Sequence, residues 1–227
     1  IARLYAEHQN TLILATKTPK TIDAFAQDLR IRCDVDVEVI ELDVCEFDSH
    51  EQFLANLPSD LFGVICAVGY LGNQQSAQQQ QSELRRIAET NYLGIVALLE
   101  PIAARLEAAG AGFIIAIGSV AGDRGRQSNY HYGAAKAALS AYLSGLRNRL
   151  YSAGISVLEI RPGFVETKMT AHLELPAPLT THPETVAQSV LKAQQRGRNI
   201  IYVKPVWRVV MWIIRCIPEA IFKRLKL

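Results

Sequence analysis

Cysteine is scarce in this sequence, and its placement excludes more than its number does. Cys33, Cys45, Cys66 and Cys216 are scattered over 227 residues with no close pair. Neither a zinc ribbon nor a redox Cys-x-x-Cys motif is available, and the pattern fits a reducing, cytoplasmic setting. His172 and His182 have no partners at metal-ligand spacing, so no metal is expected. Net charge is also nearly lacking: 24 Lys plus Arg stand against 22 Asp plus Glu, for a formal +2. That is too little for a nucleic-acid surface, and no nucleic-acid partner is expected. An apolar run of about 20 residues is absent as well, so no segment reads as a bilayer span, and no signal peptide is recognisable. What remains is a chain of 49% hydrophobic residues, enough for one sizeable core.

Strand-like and helix-like segments alternate along it. The apolar runs TLILATK (11–17), VDVEVIELDV (35–44), LFGVICAVGYLG (61–72), AGFIIAIGS (111–119), ISVLEIR (155–161) and NIIYVKP (199–205) read as strands. Between them lie helical periodicities, so the fold class is α/β, a Rossmann-like doubly wound parallel sheet in three layers. The Gln-rich stretch 73–83 reads as a solvated loop and helix start, and Thr181 with Glu184 forms a capping-box pattern for the helix that follows. The expected division is a domain over 1–205 and a tail over 206–227.

The chemistry concentrates between Ser119 and Lys136. Ser119 ends a buried strand, Tyr132 follows thirteen residues later, and Lys136 lies one helical turn beyond it. A separation of four puts phenol and ammonium on one helix face. A nearby cation favours the phenolate, so Lys136 is expected to lower the Tyr132 pKa and make the phenol a proton donor, while Ser119 holds a substrate oxygen. A lone Tyr-x-x-x-Lys pair is more often a solvated helix face; here the setting of strand, loop and helix argues for catalysis.

On these motifs the sequence resembles the short-chain dehydrogenase/reductase family, over nearly its whole length. The resemblance implies NAD(P)H-dependent reduction of a ketone to a secondary alcohol by a tetrad of Asn91, Ser119, Tyr132 and Lys136. Asn91 would disturb its helix and hold a water against the lysine, and an Asn satisfied by local backbone is the plainer alternative. Cofactor contacts are implied for Lys17, Asp43, Val44, Ala67, Gly69, Tyr132, Lys136, Pro162, Gly163, Val165 and Thr167. Lys17, where the family reads the adenosine ribose, favours NADPH, although a solvated loop lysine explains it equally. Ala67 and Gly69 belong to Cys-Ala-Val-Gly, a departure from the family's Asn-Asn-Ala-Gly. The resemblance also places a strand and a Gly-rich turn ahead of the first helix; neither is in this sequence, which is therefore expected to be N-terminally incomplete.

Two segments speak of the substrate. Leu173, Leu175 and Leu179 with Pro176 and Pro178 make an apolar, stiff lid, suited to a greasy substrate or to packing on itself. In the tail, Arg208, Arg215, Glu219 and Lys223 form one helical stripe amid Trp207, Val210, Met211, Ile214 and Ile217, with Pro218 expected to break the helix. Such a helix suits a membrane interface, helped by Lys223, Arg224 and Lys226; covering the substrate pocket or packing on another subunit are the alternatives. Within the family, SNYHYGAAKAA, RPGFVETKMTAHLE and IPEAIFKRL are similar to the reductases of decaprenylphosphoryl-2-keto-pentoses. That likeness implies a polyprenyl-phosphate sugar as substrate and a cytoplasmic enzyme peripheral on the inner membrane face. Another lipophilic ketone (acyl, polyketide or sterol) and a non-catalytic cofactor-binding scaffold are the rival readings. In the family the paired long helices form a dimer interface, so the resemblance implies a homodimer or homotetramer, and core packing explains the same periodicity.

Overall fold

The computed structural model describes residues 1–171 and 174–225, so His172, Leu173 and Lys226, named above, lie outside the described residues. The chain enters on α1 (Ala2–Glu7) and alternates through β1 (Leu12–Thr16), α2 (Asp23–Cys33), β2 (Val37–Glu41), α3 (His50–Ala55) and β3 (Gly63–Cys66). Short helices α4 (Gln74–Gln79) and α5 (Gln81–Ala88) run through a π-helical turn, Glu89–Leu93, into α6 (Gly94–Ala109). Then come β4 (Phe113–Ile117), α7 (Tyr130–Leu150), β5 (Ser156–Arg161) and the small ladder of β6 (Phe164–Val165) with β7 (Thr180–Thr181). The last elements are α8 (Pro183–Gln195), β8 (Ile200–Tyr202), α9 (Pro205–Cys216) and α10 (Glu219–Phe222).

Every strand pairing is parallel: β1 with β2, and β3, β4, β5 and β8 in that order. An apolar slot of about 340 Å³ lies between β1 and β3, lined by Ile13 and Ala15 of the one and Val64 and Cys66 of the other. Side chains alternate across a strand, and β4 divides accordingly. Ile114 and Ala116 pack with Leu99 of α6 and Leu139 and Leu143 of α7, while Ile115 packs with Val186 and Val190 of α8. Helix α7 buries Leu139, Leu143, Leu146 and Leu150, spaced four, three and four apart, which is one face of a helix. Helices α1 and α2 cover β1 and β2 through Ala6, Ala26 and Leu29. The result is the expected three-layer, doubly wound arrangement.

Two local expectations change. The Gln-rich stretch is largely helix, because Asn73 caps α4 by accepting from the Ser76 amide at 2.9 Å. The Thr181–Glu184 capping box does not form: Pro183, with its fixed φ and missing N–H, takes the first helical position, His182 is the N-cap, and Thr181 pairs with Val165 instead. In the tail Pro218 does separate α9 from α10. Helix α9 folds onto the domain, burying Trp207 and Met211 against Val120 with Phe164 and Leu179. Arg124 fixes its end, donating to the carbonyls of Ile214 (2.5 Å) and Ile217 (2.7 Å), bonding Glu219 at 2.9 Å and stacking on the Phe222 ring. Those carbonyls are among the ones a helix end leaves open.

The core also holds an ion triad. Glu159, on the α7-facing side of β5, is 0% exposed; it accepts from the Ser140 hydroxyl and from Arg161 at 2.9 and 2.8 Å. Arg161 reaches Asp123 at 2.8 Å, and the Tyr202 hydroxyl donates to the other Asp123 oxygen at 2.7 Å. One cation thus serves two buried carboxylates. Removing a single partner from a buried ion pair costs about 3–5 kcal/mol, so Arg161→Met is expected to lose stability on that scale in urea unfolding; a loss below about 1 kcal/mol, the range of exposed pairs, would contradict this account of the core.

Candidate active site

Ser119 stands directly after β4, where the strand gives way to a 3-10 turn, Val120–Asp123, and its Oγ accepts from the Ala121 amide at 3.1 Å. Tyr132 and Lys136 come from the first two turns of α7. All three line one cavity of about 480 Å³. Lys136 is only 2% exposed, and its Nζ donates to the Ile117 carbonyl at 3.0 Å and towards that of Val68 at 3.5 Å. Burial lowers its pKa to about 8, with the Cys66 thiol and the Glu159 carboxylate pulling it back up. The Tyr132 phenol moves the other way: burial raises its pKa, and the Ser119 hydroxyl draws it partly down. The expected lowering of the phenol by Lys136 does not appear: the ammonium is directed at two carbonyls and lies 5.9 Å from the ring centre.

Asn91 sits in the π-helical turn, so the helix is disturbed where the sequence reading puts the disturbance. Its side chain is fully buried and clamps the turn after β3: Nδ2 donates to the carbonyls of Tyr70 (2.6 Å) and Ile87 (2.8 Å), and Oδ1 accepts from the Tyr70 amide at 3.1 Å. A Cβ added at Gly69 would stand 3.6 Å from Asn91 Oδ1 and 3.8 Å from Lys136 Nζ. The asparagine, the lysine and this glycine turn therefore meet at one place.

Ala67, Gly69, Pro162, Gly163, Val165 and Thr167 line the same cavity as Ser119, Tyr132 and Lys136. Gly163 is a required glycine. A Cβ there would fall 1.9 Å from the Trp207 indole nitrogen, so only glycine lets α9 close over the turn; that nitrogen donates to the Leu179 carbonyl at 3.0 Å. Lys17, Asp43 and Val44 are not among the cavity-lining residues. Lys17 is ion-paired with Asp43, whose other oxygen accepts from the Cys45 amide at 3.0 Å. Val44 is buried against Gly94 and lines the slot beside β3. Slot and cavity share Ala67 and Val68 as lining residues, while Lys17 and Asp43 line neither.

The sequence reading does not assign Arg126, Asn129, Phe164 and Met169 to the site, although all four line the cavity, and it does not decide for Trp207 as a cavity wall. Arg126 and Asn129 were findable, since they lie in the loop bounded by Ser119 and Tyr132. Phe164 and Met169 follow the Pro-Gly turn and read as ordinary apolar residues.

The short chain dehydrogenase family matches residues 1–177. An uncharacterized oxidoreductase of Mycobacterium tuberculosis is 32% identical over 218 residues, covering 95% of this chain and 87% of the relative. Among solved structures, a short-chain dehydrogenase from Sphingobium yanoikuyae in complex with NADPH superposes with a TM-score of 0.82 at 22% identity, over 96% of this chain and 91% of that one. A bulky-bulky ketone specific alcohol dehydrogenase from Comamonas testosteroni gives 0.80, also at 22% identity, over 96% and 89%. By fold and by sequence, this chain belongs to the short-chain dehydrogenase family of oxidoreductases.

Proposed function

We propose that the chain reduces a ketone to a secondary alcohol with NAD(P)H, using Ser119, Tyr132, Lys136 and Asn91. The observation that carries this reading is the gathering of Ser119, Tyr132 and Lys136 in one largely apolar cavity with the small residues Ala67, Gly69 and Gly163. Small side chains there leave room for the nicotinamide end of the cofactor, and Lys136 brings a donor for ribose hydroxyls. NADPH, the cofactor of the Sphingobium structure, is the preferred form. When bound, the cofactor supplies a hydride.

The protein's own groups handle the oxygen and the proton. The Ser119 hydroxyl holds the ketone oxygen. Tyr132, whose phenol burial keeps protonated, transfers its proton to that oxygen as negative charge develops there. Lys136, nearly the whole of its surface buried, supplies positive charge on the same helix face. Asn91 holds the Gly69–Tyr70 turn beneath them.

The substrate proposed is the 2-keto sugar of a polyprenyl-phosphate pentose. Leu71, Val120, Phe164, Met169 and Trp207 give the cavity an apolar wall, and α9, whose inner face carries Trp207, turns Val206, Val209, Trp212 and Ile213 outward at 43% to 67% exposure. Arg208 and Arg215 flank that outer patch; together they suit a helix resting in a lipid interface. No helix among the described residues is long and apolar enough to cross a membrane, so the contact proposed is peripheral. The rival is another bulky, lipophilic ketone, as the bulky-bulky ketone specificity of the Comamonas enzyme suggests. Assembly as a homodimer or homotetramer through α6 and α7 belongs to the same proposal.

Tyr132→Phe is expected to cut NADPH oxidation by about 10²–10⁴-fold, the usual worth of general acid catalysis, while NADPH binding, followed by its fluorescence, persists; equal turnover by variant and parent would sink the mechanism. Lys136 is charged below its pKa and neutral above, so kcat/KM for reduction should fall as the pH rises through about 8. A flat profile well beyond that pH would remove the lysine's role. Trp212→Glu should weaken co-sedimentation with phosphatidylglycerol vesicles, and unchanged sedimentation would argue against the interfacial helix.

A further inference from the structure

The cavity has a polar corner that the reaction above leaves unused. Arg126 and Asn129 line it together with Leu71, Val120 and Phe164. Arg126 Nε and Asn129 Oδ1 are both buried, and neither has a hydrogen-bond partner among the described residues. The carboxylate that acts on Arg126 is Asp123, but both Asp123 oxygens are already engaged, one by Arg161 and the other by Tyr202. Partial burial lowers the Arg126 pKa, yet a guanidinium stays charged. Asn129 stands at the N-cap of α7, where an amide oxygen ordinarily accepts a backbone N–H, and makes no such bond. Native interiors pair nearly all their buried polar groups, and an exception calls for an account. Two exceptions lining one cavity, in the loop between Ser119 and Tyr132, point to a ligand.

We propose that Arg126 and Asn129 form a specificity subsite for an anionic oxygen group, phosphoryl or carboxylate, carried by the ketone substrate. The guanidinium fork offers parallel N–H donors to two such oxygens, and the Asn129 amide takes a neighbouring hydroxyl. A purely hydrocarbon ketone would exclude water from both groups and give nothing in return, a cost that selects against it. Apart from Tyr132 and Lys136, the cavity residues assigned to the cofactor come from elsewhere, the Ala67–Gly69 turn and the segment from Pro162 to Thr167, which leaves this corner to the substrate. The subsite rests on the reductase reading, but not on the polyprenyl sugar.

The test uses the full chain with NADPH and methyl ketones of matched chain length that end in phosphate, carboxylate, hydroxyl or methyl, over a range of lengths. A hydrogen bond to a charged group corresponds to about a 10- to 100-fold preference, so kcat/KM for an anionic ketone should exceed that for its methyl counterpart on that scale. Preference for phosphate over carboxylate, or the reverse, identifies which anion the corner takes. Arg126→Met should collapse the ratio through KM, Arg126→Lys should restore part of it, and NADPH affinity should stay at the parent value in both. Thermal unfolding followed by circular dichroism checks that each variant is folded; if Arg126→Met does not fold, the parent's preference and Arg126→Lys still decide. Equal kcat/KM for charged and neutral ketones in the parent enzyme would overturn the subsite while leaving the reductase intact. A loss of NADPH affinity in Arg126→Met would overturn it too, by giving the arginine to the cofactor. Silence with every ketone, charged or neutral, would instead strike the reductase reading, and the subsite would fall with it.

Discussion

The structure depends on keeping one ammonium group charged where there is almost no water. Lys136 lies at the carboxyl end of the parallel sheet with nearly its whole surface buried, and an isolated cation in such a place would lose its proton. Three elements prevent that. The end of β4 presents the Ile117 carbonyl, the turn after β3 presents the Val68 carbonyl, and β5 brings the Glu159 carboxylate near enough to favour the charged form. Each provision makes its own demand. Glu159 must itself be buried and balanced, which Arg161 and Ser140 do, and Arg161 in turn ties down Asp123 at the end of the turn that follows Ser119. The position of the Ser119 loop and the charge of the lysine are thus set by one set of buried charges.

The same loop meets the tail. Arg124, next to Asp123, closes the end of α9, and the inner face of α9 supplies the Trp207 wall of the cavity. Gly163 permits that closure, since any side chain there would occupy the indole's place. The wall of the cavity and the outward apolar patch are therefore two faces of one short helix, and whatever holds the outer face acts on the cavity through a single rigid element. On the reading proposed, a lipid-linked ketone has its tail end in the interface and its carbonyl within reach of Ser119 and Tyr132.

How much of this was legible in the sequence follows from the range of each interaction. Ser119, Tyr132 and Lys136 could be found because one strand end and one helical turn fix their relation, and both are local. The break at Pro218 is local too, whereas Asn91, distant in sequence from the other three, was legible only through the family resemblance. The Glu159–Arg161–Asp123 triad was not: ISVLEIR reads as an ordinary strand, and nothing in a period-two pattern tells that its glutamate points inward at α7. Nor could the pattern of α9 decide between its faces. Apolar residues occupy most of its circumference, so which of them enter the core depends on Val120 and Phe164, distant in sequence. The capping box failed locally, where two helix-start signals overlapped and the proline, whose backbone allows only one, prevailed.

Burial has opposite consequences for Tyr132 and Lys136, and their difference bears on the chemistry proposed. It raises the phenol of Tyr132 and lowers the ammonium of Lys136, because the charged form of each is the one that water favours. The phenol is thereby kept neutral at ordinary pH, with its proton present and available. Surrendering that proton in the resting site would create an anion in a poor dielectric, but surrendering it to a ketone oxygen that is gaining charge moves the negative charge rather than adding one. The nearby lysine then contributes most when charge is moving, not before, which is the condition for lowering a barrier instead of merely binding tightly. A weaker ammonium and a stronger phenolic O–H bond would look, from the sequence alone, like defects in a tyrosine–lysine pair. On the reading proposed, they would keep the proton on the Tyr132 phenol until negative charge develops on the ketone oxygen.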